Sequence, residues 1–377
     1  MAEPLQERGA APSTGAAQQI LEVLPEPVLL VRAGEDGAAE IDYGNAAARE
    51  TFRVELAGAP LGTAIRRPEV LEAVEAALAT GESSEVAFET IGVQPRFWRV
   101  LTRPLGPGEA VVLLRDETDA RRTERMRADF LANASHELRT PLASLAGFIE
   151  TLRTHARDDV AARDRFLIIM AEQAARMARL IDDLLSLSRI ELNEHIPPAG
   201  AVDLAATARD VCDALRPLIA AKQIKVRLED HTASAAVAGD RDQLVQVVQN
   251  IVDNAIKYAA QGGVVSVTLE AVDSLQAARM ASGTGVSLSL LSPDSGEDIA
   301  YVVLRVRDDG PGIARQHLPR LAERFYRVEG QKKGGTGLGL AIVKHVVNRH
   351  RGGVAVESAE GEGATFSIYL PAVTIGA

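Results

Sequence analysis

The stretch N-A-S-H-E-L-R-T-P-L at residues 133–142 decides how this chain is read. It sets one histidine, His136, directly before an acid, Glu137, with Thr140 one helical turn later and Pro141 after it. An imidazole is a neutral nucleophile near pH 7 and can carry a phosphoryl group on nitrogen. A neighbouring carboxylate can hold the ring in one tautomer and take its proton during attack. Thr140, at i+4, shares the face of His136 on a helix. Pro141 lacks an N–H and crowds the carbonyl of Glu137, so the helix is expected to bend just past the histidine.

A single helical histidine is more often a solvated or packed residue than a reactive one, so the reading rests on what accompanies it. A zinc protease is excluded, because the second ligand of an H-E-x-x-H pattern would fall at position 140, which is Thr. The string H-E-L-R-T-P-L closely resembles the phosphoacceptor box of the sensor histidine kinases. That resemblance implies that His136 is the phosphorylated residue, that Glu137 is base and orienter, and that Thr140 orients water for a reverse, phosphatase reaction.

Working outward, residues 109–140 contain no Gly and no Pro, and R-D-E-T-D-A-R-R-T-E-R-M-R-A-D is dense in helix formers. One continuous helix is therefore expected to enter the His136 segment. Met126, Phe130, Leu138, Leu142, Leu145, Ile149 and Leu152 recur on it at steps of three and four or their multiples. After a break at 155–159, Phe166, Met170, Gln173, Met177, Leu180, Leu184 and Leu187 form a coiled-coil seam with one polar position. Two such helices expose too much apolar stripe to stand alone, and a homodimeric four-helix bundle is the natural closure. The dimerisation and phosphotransfer domain of the family has that form.

Upstream, residues 1–16 are rich in Ala, Gly, Pro and Ser and read as a disordered tail. Residues 17–116 read as an α+β module, with strands at 27–31, 40–43, 84–90, 96–102 and 109–116 and helices near 44–52 and 68–79. The opening I-L-E-V-L-P-E-P-V-L-L-V, the Asn45-Ala46-Ala47 run and the closing R-D-E-T resemble a PAS sensory domain. A plain dimerisation or packing module would suit the same strands.

Downstream, 117–196 covers the helical hairpin, Pro197-Pro198 and Gly200 mark a linker at 197–202, and 203–372 is a second α/β region. Its elements are expected at 203–221 (helix), 225–230 (strand), 240–259 (helix), 264–272 and 300–309 (strands), 338–350 (helix), and 353–359 and 364–371 (strands). The stretch 273–298 reads as an irregular insertion, longer than loops usually are.

Four strings in this region resemble the ATP-binding boxes of the histidine kinase, gyrase, Hsp90 and MutL (GHKL) superfamily. In Q-N-I-V-D-N-A-I-K-Y at 249–258, Asn250, Asn254 and Lys257 or Tyr258 share one face of a helix whose other face is Val247, Val248, Ile251 and Ala255. By resemblance Asn250 and Asn254 hold Mg²⁺ and its waters, while Lys257 and Tyr258 meet phosphates; amide oxygen and water suit that hard cation. In D-D-G-P-G-I at 308–313, the resemblance gives Asp308 the adenine amino group, and Gly310 and Gly312 let backbone approach the base. Taken alone, that string is also an ordinary turn. E-R-F-Y-R-V at 323–328 supplies Arg327 near the γ-phosphate by the same resemblance.

The fourth string, G-G-T-G-L-G-L at 334–340, offers Gly335, Thr336, Gly337, Leu338 and Gly339 at a helix start, where backbone N–H groups face phosphate. It lacks the G-K-[ST] ending of a P-loop and the flanking strand and acid of a dinucleotide fingerprint.

Composition agrees with this reading. A chain of 377 residues with 46% hydrophobic content suits two or three domains with real cores. A net charge of −11 argues against a nucleic-acid-binding surface. One cysteine, Cys212, excludes an internal disulfide and reads as a small packed side chain. No apolar run is long enough to span a bilayer and the amino terminus lacks a signal peptide, so a soluble cytoplasmic protein is expected. The remaining histidines, His155, His195, His231, His317, His345 and His350, read as solvated or capping residues.

The expected fold is thus a multidomain α+β chain: a PAS-like sensor, a helical hairpin that closes a bundle in the dimer, and an α/β sandwich binding ATP. The family resemblance implies Mg²⁺, a homodimer, and a separate response regulator whose receiver aspartate accepts the phosphoryl group. The joined boxes resemble the phosphate-regulon branch most, which implies a PhoB-like regulator. Two other readings share the strings: a superfamily ATPase that works as a conformational clamp, and a degenerate kinase acting as a scaffold.

Overall fold

A computed structural model describes residues 19–34, 38–90, 95–154, 159–232, 235–279, 285–293, 299–328 and 335–373. The expected tail at 1–16 and most of the expected hairpin break at 155–159 lie outside these residues. The chain divides into two compact units, Met1–Leu131 and Ala132–Ala377. No helix among the described residues is long and apolar enough to cross a membrane.

The first unit is a five-stranded antiparallel sheet of β1 (Val28–Ala33), β2 (Ala39–Gly44), β3 (Ser84–Glu89), β4 (Phe97–Gly106) and β5 (Glu109–Asp116). Their order is β2-β1-β5-β4-β3. On β4, alternate residues Trp98, Val100 and Thr102 point into the core, as a one-sided sheet requires. Helices α1 (Ala46–Phe52), α2 (Leu61–Ala64) and α3 (Pro68–Thr80) accompany the sheet. Helix α3 buries Val70, Val74 and Ala77, one residue per turn.

Asn45, which opened the Asn-Ala-Ala run, is fully buried and makes five hydrogen bonds. Its Oδ1 accepts from Val28 N at 3.0 Å and, as the cap of α1, from Ala48 N at 2.9 Å. Its Nδ2 donates to the carbonyls of Leu21, Leu24 and Glu26. One amide therefore ties the segment before the sheet to its first strand and helix. Truncating it would strand several buried backbone groups.

Helix α4 (Thr118–Arg153) carries the acceptor box and α5 (Val160–Leu192) is the second helix of the hairpin. The continuous helix expected into His136 is present, and it runs on through Pro141, which is buried. Asp159 caps α5 by accepting from Ala162 N at 2.9 Å. Across the hairpin, the rings of Phe148 and Phe166 stand 5.4 Å apart. Leu180, Leu187 and Ile190 are buried, whereas Leu142, Ile149, Leu167, Ile168 and Leu185 are exposed.

The α/β part of the second unit is a six-stranded sheet ordered β10-β12-β13-β11-β9-β7. The strands are β7 (Lys225–Asp230), β9 (Val264–Val272), β10 (Val286–Leu291), β11 (Tyr301–Asp308), β12 (Gly353–Ser358) and β13 (Ala364–Pro371). Among the described residues, only the β7–β9 pair of this sheet is parallel. A two-stranded ladder, β6 (Ala201–Asp203) with β8 (Ala236–Ala238), begins inside the expected linker. Helices α6 (Leu204–Ala214), α7 (Arg216–Ala221), α8 (Arg241–Tyr258) and α10 (Gly339–Arg349) complete the sandwich.

Two expectations are corrected here. The single helix at 203–221 is two helices, interrupted at Leu215, because Pro217 has no N–H to continue the ladder and suits a helix start instead. The insertion at 273–298 is not wholly irregular: it holds helix α9 (Leu275–Arg279) and strand β10, which pairs antiparallel with β12. Leu275 and Ala278 pack on Tyr301, Val303 and Tyr369. Arg305 donates to the carbonyl of Ala278 at 3.3 Å and pairs with Glu270, so the insertion is fastened to the sheet.

Candidate functional site

Helix α8 positions the centre of the site. Asp240 caps it, accepting from Asp242 N at 3.0 Å and Gln243 N at 3.3 Å. Leu244, Val247, Val248, Ile251, Val252, Ala255 and Ile256 are buried on one side. The other side presents Asn250, Asp253, Asn254, Lys257 and Tyr258 to a cavity of about 910 Å³. Lys222 holds the far end, donating to the carbonyls of Ile256 at 2.8 Å and Lys257 at 2.6 Å. A cation there satisfies the last carbonyls and complements the negative end of the helix dipole.

Asp308 ends β11 at the cavity wall and is 5% exposed. Burial pushes its carboxyl up to about 6, opposed by hydrogen bonds from the backbone at Gly310 and Ala364. The Gly310 N–H donates to Asp308 Oδ1 at 2.9 Å. Gly312, at φ +69°, also lines the cavity, and a Cβ there would lie 1.9 Å from the carbonyl oxygen of Ala359. Only glycine fits that turn. Gly310 is not among the lining residues, though a Cβ on it would strike the Tyr258 carbonyl at 2.5 Å.

The glycine string comes against the same cavity. Gly335, Thr336, Gly337 and Gly339 line it, while Leu338 is fully buried as the residue before α10. A Cβ on Gly339 would stand 2.9 Å from Asn250 Oδ1, so the start of α10 and the amide face of α8 approach closely. Arg327 also lines the cavity and lowers the Tyr258 phenol, though burial raises that group overall. Just upstream, His317 Nδ1 lies 2.7 Å from Tyr326 Oη, and Arg320 stacks 4.3 Å from the Tyr326 ring centroid.

Helix α5 supplies the remaining wall. Thr336 Oγ1 donates to Asp183 Oδ2 at 2.7 Å. Burial raises the Asp183 carboxyl, and the Thr336 hydrogen bond partly offsets that. Ser186 donates to Gln246 Oε1 at 2.8 Å, and Arg324 pairs with Glu191. Glu194 lies 3.1 Å from His345 Nδ1 and accepts from Asn348 at 2.7 Å. The solvated role expected for His345 thus gives way to a place beside two acids, Glu194 and Glu191. His350 is buried, with Nε2 accepting from Asp240 N at 3.1 Å and Nδ1 at 2.7 Å from the Val346 carbonyl. Burial lowers its imidazole below the ordinary value.

The acceptor box contrasts with all this. His136 is exposed and its ring makes no hydrogen bond among the described residues. Glu137 is held by Arg176 of α5 at 2.9 Å. Thr140 Oγ1 donates back to the His136 carbonyl at 3.2 Å, so its hydroxyl is occupied by its own helix. None of these three lines the cavity, whereas Arg176 does.

Sequence reading did not single out Arg176, Arg179, Asp183, Lys222, Gln246 or Asp253, all of which line the cavity. Asp253 carried a usable signal, since it falls on the polar face of α8. Burial raises its carboxyl, against the lowering by Lys257, Arg179 and Lys222. The residues present suit a magnesium nucleotide. Two amides face a cavity that also carries a buried carboxylate and, at Gly339, a helix start with no room for a side chain. No cluster of three or more His, Cys, Asp or Glu suited to a metal occurs among the described residues, so any cation would depend on nucleotide oxygens as well.

Comparison with known proteins agrees with these features. Residues 126–193 match the His Kinase A (phospho-acceptor) domain, and residues 239–374 match the histidine kinase-, DNA gyrase B- and HSP90-like ATPase. The phosphate regulon sensor protein PhoR of Pseudomonas aeruginosa is 35% identical over 268 residues, covering 70% of this chain and 54% of PhoR. The sensor-like histidine kinase SenX3 of Mycolicibacterium smegmatis is 35% identical over 266 residues, covering 70% of this chain and 62% of SenX3. The chain spans just over half to three fifths of the length of these curated relatives. A full-length ShkA crystal structure in complex with AMPPNP is 25% identical, with 66% of this chain and 46% of that one covered and a TM-score of 0.45. The chain thus carries the phospho-acceptor and ATPase domains of the histidine kinases.

Proposed function

We propose that this protein autophosphorylates His136 from ATP–Mg²⁺ and passes the phosphoryl group to an aspartate on a separate response regulator. The observation that carries the reading is the pairing, in one compact unit, of an exposed acceptor histidine with a cavity built of amides, cations, a buried aspartate and crowded glycines. Asp308 would accept from the adenine amino group, Asn250 and Asn254 would hold the cation, and Lys257, Tyr258 and Arg327 would meet phosphate. Bound there, Mg²⁺ neutralises charge on the phosphate oxygens.

The chain's own contribution is then positioning and charge stabilisation, as phosphoryl transfer demands. The bare ring of His136 is free to attack, and Glu137 takes its proton. The exposed Leu142, Ile149, Leu167 and Ile168 support a homodimeric bundle, because a lone hairpin leaves that stripe in water. The PAS-like first unit would sense the input, and Thr140 would serve a phosphatase activity toward the regulator, one that in the phosphate-regulon branch is PhoB-like.

His136→Gln tests the reading. The variant should bind a non-hydrolysable ATP analogue as the wild type does and take up no label from γ-labelled ATP. Continued labelling on histidine would remove His136 as acceptor.

A further inference from the structure

Arg176 is the side chain that joins the acceptor box to the nucleotide cavity. Its Nη2 donates to Glu137 Oε2 at 2.9 Å across 39 residues of sequence. Arg176 also lines the cavity that Asn250, Lys257, Arg327 and Thr336 share. The two side chains of the pair are each about a third exposed, so solvent screens the bond and a stronger anion can compete for the arginine. A guanidinium offers five donors in a planar fork and binds phosphate oxygens in pairs.

We propose that Arg176 is a positioning residue for phosphoryl transfer, held by Glu137 while the cavity lacks nucleotide and drawn to the γ-phosphate when ATP enters. This rests on the proposed kinase function and deepens it. Two consequences follow from one exchange of partners. The γ-phosphate gains a cation from the hairpin, which lines the same cavity as the amides of α8. Glu137 loses its guanidinium partner, which leaves its carboxylate oxygen open to accept the His136 proton when a phosphoryl donor is in place.

In the transfer, a nitrogen of neutral His136 forms the bond to phosphorus and the bond to the bridging oxygen breaks, its electron pair leaving on ADP. The proton on the other ring nitrogen passes to Glu137. Nothing beyond ATP and these side chains is consumed. Arg179, one turn along α5, also lines the cavity but makes no bond to Glu137 among the described residues, so only Arg176 can exchange that partner.

The test is direct binding of AMPPNP and of ADP, each with Mg²⁺, to the full chain and its variants, read as the ratio of the two affinities. Arg176→Gln should lower the preference for the triphosphate about tenfold while leaving ADP affinity near wild type. Arg176→Lys should recover part of that loss. Glu137→Gln, which frees the arginine, should raise the triphosphate preference about threefold when Arg176 is present and not at all in the Arg176→Gln background.

An unchanged preference in Arg176→Gln, or a Glu137→Gln effect that persists without Arg176, overturns the proposal. Should Arg176→Gln fail to fold, Glu137→Gln decides alone, and an unchanged preference overturns it. If the wild type binds neither nucleotide, the kinase reading falls as well. Nucleotide binding with no change in preference among the variants sinks only the role of Arg176.

Discussion

The acceptor box and the nucleotide cavity solve opposite problems in the same unit. His136 stands on an exposed face with no partner for its ring among the described residues, and its neighbours are occupied elsewhere, Glu137 by Arg176 and Thr140 by the helix backbone. Asp308 stands at a strand end, nearly out of water, with its carboxyl pushed up to about 6 and the Gly310 N–H bonded to it. A residue that must meet both a donor and a second protein has to stay accessible, and it can borrow its chemistry from whatever docks. On the proposed function, a residue that reads a base has to be built in, with the cost of burying its charge carried by the fold.

The largest effect should come from the enclosed side. Asn250→Asp replaces an amide beside the start of α10 with a charge where the proposed site would hold phosphate, and labelling from ATP should fall about 100-fold or more. Unchanged labelling would take Asn250 out of the site and leave the contrast without its polar face.

Asp308→Asn sharpens the comparison through pH. The folded-state carboxyl of Asp308 is raised from 3.8 to about 6, so the folded protein binds this proton more tightly than the unfolded chain. Stability from that group is full below pH 3.8 and is lost as pH rises through about 6, by about 3 kcal/mol. Without nucleotide, Asp308→Asn should therefore lack that loss between pH 4 and 7, seen as a flatter Tm profile than the wild type. Parallel profiles would mean the charge is well compensated by the protein itself. The variant should also weaken adenine-nucleotide binding.

The smallest change is expected at the exposed side. Thr140→Ala removes a hydroxyl whose bond goes to its own helix, and alanine is the better helix former, so autophosphorylation should stay within about twofold. Dephosphorylation of the phosphorylated regulator should fall about fivefold or more if the hydroxyl turns to orient water when a receiver docks. Equal changes in both rates would place Thr140 in helix geometry alone.

What could be read from sequence follows the range of the interactions. The strands of the first sheet and helix α8 were legible because alternation and a 3.6-residue period are local signals, and Asp240 stands where a cap belongs. Strand β10 carries the alternating V-S-L-S-L, yet it sits among Ser, Gly and Pro, and its partner β12 lies more than sixty residues on, so its pairing was not visible. The hold of Lys222 on the last turn of α8 and the Thr336–Asp183 bond join residues 34 to 153 apart, and no period or motif encodes them. The site was thus legible where one helix face or one turn carries it. It was not legible where α5 forms its wall.

The central claim is that phosphate moves from the enclosed site to the exposed one, and the chemistry of the label tests it most directly. The wild-type chain incubated with γ-labelled ATP and Mg²⁺ should acquire label approaching one phosphate per chain, labile to acid, stable to base and located in the peptide 133–142. ATP hydrolysis with no bound label, or an acid-stable label on another residue, would contradict it.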